Sequence, residues 1–120
     1  MLPKKLRTLI EGLSEKTKSK SVEWEKVSWG DAYETPLAQY NVILARGADD
    51  PNHPRAAECF RVRIVDETGT DILGVTLSPE KHGSHERYYH LVKQIYADAQ
   101  DISSGADGAL DEILNALDAL

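Results

Sequence analysis

The alternation through residues 59 to 65 constrains this chain more than any other feature. Phe60, Val62 and Ile64 stand on one parity, Cys59, Arg61 and Arg63 on the other. Successive side chains of a strand leave on opposite faces, so the segment, taken from about Ala57 to Val65, reads as a strand with one face in a core. A sheet with a single apolar face needs a cover, which places helices on the Phe60/Val62/Ile64 side. Two neighbouring segments extend the sheet. Leu37 to Arg46 sets Tyr40, Val42 and Leu44 on one side and Gln39, Asn41, Ile43 and Ala45 on the other, and Asp71 to Leu77 buries Leu73, Val75 and Leu77. Asp66-Glu67-Thr68-Gly69-Thr70 between them is a short hairpin loop in which Gly69 takes the positive φ such loops need.

Helical periodicity appears at both ends. Pro3 suits a first helical turn, and Leu2, Leu6, Leu9, Ile10 and Leu13 recur on one face, which predicts a helix over about Pro3 to Lys18. Tyr88 or Tyr89, Val92, Ile95, Tyr96 and Ala99 predict a second over His85 to Ala99. Ser104 with Asp107 three residues on resembles a capping box, after which Ala106, Leu110, Ile113, Leu114, Leu117 and Leu120 form the clearest amphipathic face in the chain. A stripe of that strength is expected to dock in the interior. Val22 and Trp24 alternate with Glu23 and Glu25 as a short fourth strand would. Val27 to Pro36, interrupted by Gly30, Asp31 and Pro36, reads as loop, as does the turn-rich run from 47 to 54. The expected fold is a single α+β domain over 1–120: a three-stranded antiparallel meander, with one N-terminal and two C-terminal helices packed on one face.

These marks also resemble a set of short uncharacterised bacterial proteins. The shared features are the L-S-E-K-T-K-S-K-S-V-E-W stretch from Leu13 to Trp24, the extended pair around Asp66-Glu67-Thr68-Gly69, and the closing Leu110-Asp111-Glu112-Ile113-Leu114 run. In that set a helix with a Lys-Thr ending precedes a Trp, a three-stranded meander and two helices. The resemblance implies the fold and brings no activity with it.

Composition narrows the partners. Twenty Asp and Glu against fourteen Lys and Arg leave a formal charge of -6, which repels nucleic acid and anionic membranes. The charge is graded: residues 1–20 hold six bases and two acids, whereas residues 98–120 hold six acids and no base. The two ends should therefore attract each other. A lone Cys59 forms no internal disulfide and no apolar run spans a bilayer, so a cytoplasmic setting without membrane contact is the expectation.

Candidate chemistries are few. His82, His85 and His90 lie three and five residues apart with His53 distant, and a five-residue spacing diverges on a helix. They read as surface histidines, the alternative being a metal-dependent or small-molecule enzyme centred on them. Cys59 reads as a sheet cysteine rather than a nucleophile, and Gly105 and Gly108 lack the lysine and strand of a phosphate loop. The Trp24, Trp29, Tyr33 and Tyr40 group reads as core before ligand platform. Lys4, Lys5, Arg7, Lys16, Lys18 and Lys20 make a solvated helix face rather than a nucleic-acid site. No cofactor is expected. The outer sheet face, with Asn41, Cys59, Arg61, Arg63 and Thr76 as candidate partner residues, suits a polar protein interface. The expected function is a small non-enzymatic protein-interaction or regulatory module, acting on a protein partner or on itself as a homodimer.

Overall fold

The computed structural model describes residues 2–28, 30–48, 58–79 and 84–120. Its elements follow the order α1 (Lys4–Lys18), β1 (Glu25–Lys26), β2 (Ala32–Leu37), β3 (Tyr40–Ala48), β4 (Glu58–Val65), β5 (Asp71–Leu77), α2 (Ser84–Ser104) and α3 (Ala106–Asp118). The strands form one antiparallel sheet in sequence order, β1-β2-β3-β4-β5. The fold class is α+β, with one helix before the sheet and two after it.

The sheet has five strands rather than three, because β2 lies where the punctuation of 27 to 36 reads as loop. Tyr33 and Thr35 are buried on its inner side, and the strand pairs with β3 from Ala32↔Ala45 to Leu37↔Tyr40. Pro36 is tolerated because β1 reaches only Tyr33 and Glu34. Beyond them β2 is an edge, where a missing N–H costs no ladder bond. Ala38 and Gln39 form the turn, with Ala38 at φ 56 in place of the glycine or asparagine that would have announced it. Gln39 therefore leaves the outer face, and the strand expected from Leu37 begins at Tyr40. The short strand expected at Val22 and Trp24 falls at Glu25–Lys26, while Val22 and Trp24 themselves enter the core.

The core gathers Leu6, Ile10 and Leu13 of α1, Tyr33, Val42, Leu44, Phe60, Val62 and Leu77 of the sheet, and Tyr88, Tyr89, Val92, Ile95, Tyr96 and Ala99 of α2. Phe60 is its centre, 1% exposed, with ring centroids 5.8 Å from Tyr89 and 5.3 Å from Tyr96. Trp24 closes one end and donates its indole N–H to Thr17 Oγ1 at 3.0 Å, both groups buried. Thr17→Val keeps the shape and strands the donor, so it is expected to cost about 1–3 kcal/mol, read by urea unfolding; an unchanged midpoint would mean the bond contributes nothing.

Two expectations about the helices are corrected. α2 continues to Ser104, so the residue before α3 is Gly105 at φ 72 rather than Ser104, whose hydroxyl donates to the Asp101 carbonyl at 3.0 Å. More consequentially, α3 does not dock. Leu110, Ile113, Leu114 and Leu117 are each 56–60% exposed, and among the described elements α3 touches α2 alone. The Cα radius of gyration is 16.0 Å, against about 13.6 Å for a compact chain of this length. Among the described elements α2 lies against the strands, and α1 packs on α2 and adds its apolar face to the same core.

Candidate interaction surface

The outer sheet face is built by register. β3 and β4 pair Asn41↔Val65, Ile43↔Arg63, Ala45↔Arg61 and Gly47↔Cys59, and β4 and β5 pair Arg61↔Thr76 and Arg63↔Gly74. Asn41, Cys59, Arg61, Arg63 and Thr76 thus share one face, as their parity requires. Their side chains are not equally available. Cys59 is buried and presents no contact area. Arg63 donates from Nε at 3.1 Å and from Nη2 at 2.8 Å to Asp71 Oδ1. The Arg61 guanidinium lies over Gly74, where a Cβ would come within 2.8 Å of Nη2, and it donates to Thr76 Oγ1 at 3.5 Å. Both arginines bind across to β5 and fasten the sheet. Val27, Ala32, Ile43 and Val65 make a small second apolar cluster on this side.

At the β4–β5 turn Asp66 Oδ1 accepts from the Thr68 N–H, the Thr68 hydroxyl and the Thr70 N–H at 2.7–3.0 Å. The Thr68 hydroxyl bond is the main reason its carboxyl is held below the usual range. This local network sets the turn and leaves no group poised for chemistry.

Of the histidines, His53 and His82 lie outside the described residues, as does the side chain of His85. His90 is exposed, its ring 5.2 Å from that of Tyr89. Among the described residues no three His, Cys, Asp or Glu side chains form a metal-holding group. Trp24 and Tyr33 are core, Tyr40 is exposed, and Trp29 falls outside the described residues. Lys18 and Lys20 from the basic end line a cleft with Asp98 and Asp101 of α2. No helix among the described residues is long and apolar enough to cross a membrane.

Two features that sequence reasoning did not place as surface now stand out. On α3 the spacing 110, 113, 114, 117 aligns the aliphatics in one stripe, with Asp111 and Asp118 along one border and Ala109 and Ala116 along the other. On α1 a groove of about 400 Å³ runs beside Leu9, Gly12 and Leu13, walled by Val22 and Leu37, with Lys5 and Lys16 at its rim. The signal for the first was the stripe itself. For the second it was Leu9, which sits half-buried at the border of the core-facing side and in line with Lys5, Gly12 and Lys16. Compared with family models, curated proteins and solved structures, the chain matches none.

Proposed function

We propose that this chain is a non-enzymatic protein-interaction module whose docking element is α3. The observation that carries the reading is the uncovered stripe of Leu110, Ile113, Leu114 and Leu117. Single exposed aliphatics are ordinary, but a contiguous helical row of them marks a surface that meets protein. An amphipathic helix laid into an apolar groove is a recurrent recognition mode, with anchors at the i, i+3, i+4 and i+7 positions found here. The outer sheet face ranks second as a contact, since Arg61 and Arg63 are engaged with β5. The acidic balance of the chain argues for a protein partner over nucleic acid.

The test is site-specific photo-crosslinking in the producing cell. A photoreactive side chain at Ile113 is expected to give a discrete protein adduct, whereas the same group at Glu112, across the helix, gives none. Absence of an adduct from Ile113, or equal smears from both positions, would sink the reading.

A further inference from the structure

We infer that α3 of one copy lies in the α1 groove of a second copy, and reciprocally, so that the protein is a homodimer joined by exchanged helices. The inference rests on the reading of α3 as a docking helix and names its occupant. Three observations carry it.

The first is chemical complementarity. The groove offers Leu9 and Leu37 above the buried Leu13 and Val22, with Lys5 and Lys16 at its rim, and α3 offers aliphatics bordered by Asp111 and Asp118. Basic rim meets acidic border while apolar floor meets apolar stripe. Among the described residues neither lysine ammonium nor either aspartate is in an ion pair.

The second is space. A Cβ placed on Gly12 meets nothing within 4 Å, so a helix backbone approaches α1 closely there. α1 and α3 have 15 and 13 residues, lengths of about 22 and 20 Å at the α-helical rise. One covers the other end to end.

The third is that the same chain does not satisfy its own groove. Among the described residues α3 packs on α2 and not on α1. The junction is held by the Gly105 N–H to the Ile102 carbonyl at 3.3 Å and the Ala109 N–H to the Gly105 carbonyl at 3.0 Å. A two-fold pair in which each copy supplies one helix and one groove uses both surfaces twice and leaves neither exposed.

The experiment is charge exchange read by sedimentation velocity. One full-length variant carries Lys5→Glu and Lys16→Glu, the other Asp111→Lys and Asp118→Lys; all four sites are exposed, so the helical circular dichroism stays that of the parent. The parent is expected to sediment near twice its 13.3 kDa. Each variant alone faces like charge across both contacts and should associate on the order of tenfold or more weakly. Mixed one to one, they carry complementary groove and helix at both contacts and regain the dimer.

A parent that stays monomeric, variants that remain dimeric, or a mixture that stays monomeric would each overturn the inference. If an Ile113 adduct with a different protein accompanies that failure, α3 remains a docking helix and only its assigned occupant falls.

Discussion

Alanine in place of Phe60 is expected to remove about 3–5 kcal/mol of unfolding free energy, a large share of the roughly 5–15 kcal/mol that holds a domain together. The ring is 1% exposed and wedged between the sheet and α2, with Tyr89 and Tyr96 leaning on it. Those tyrosines belong to a helix held against both α1 and the sheet, so they cannot follow into the void without dragging α2. Most of the cavity therefore stays open. Denaturant titration of the purified variant measures the loss. Gln100→Ala serves as the comparison, since its side chain is exposed on α2, outside α3 and the α1 groove, and truncation should change stability by no more than about 0.5 kcal/mol. A loss at Phe60 as small as that at Gln100 would refute the core as described.

The second large effect is a steep alkaline limit. Tyr88, Tyr89 and Tyr96 all hold their phenolic protons above the ordinary value of 10.0. For Tyr88 the main cause is the hydroxyl's 2.7 Å bond to Glu11 Oε1, which exists only while the hydroxyl is protonated. For Tyr89 and Tyr96 it is burial, which penalises the phenolate. The unfolded chain gives up these protons more readily than the folded one. Their contribution to stability is therefore complete below pH 10 and disappears as the pH climbs through the raised values. Tyrosinate absorbance followed beside far-ultraviolet circular dichroism should show the late ionisations arriving together with loss of helix. Tyrosinate from all three appearing while the helical signal holds would contradict the assignment.

How much of this was readable from the residues depends on where the information resides. β4 was legible because alternation survives in it, β5 in its bounds and in buried Leu77 although Leu73, expected to be buried, is 40% exposed, and α1 because Pro3 and the Leu6, Ile10, Leu13 row mark its start and its buried side. β2 was hidden by Gly30, Asp31 and Pro36, which signal loop locally. Only its pairing with β3, and the shortness of β1, make the proline harmless. The parity of Arg61 and Arg63 was readable, but not their ties to Thr76 and Asp71, which arise from the β4–β5 register. The α3 stripe was read correctly as a pattern and wrongly as a buried one. Amphipathicity identifies the side of a helix that seeks cover and is silent on whether the cover belongs to the same molecule. The α1 groove escaped notice because the row Lys5, Leu9, Gly12, Lys16 alternates in character and has no single signature.

The left-handed backbone at Gly105, φ 72, fixes the angle at which α3 departs from α2. In a reciprocal pair that angle must bring each arm back toward the neighbour that lent its own. Were the arm to leave along another direction, the same helix would reach a third molecule instead and growth would have no stopping point. In such a pair a single residue without a side chain would separate a finite particle from a fibre.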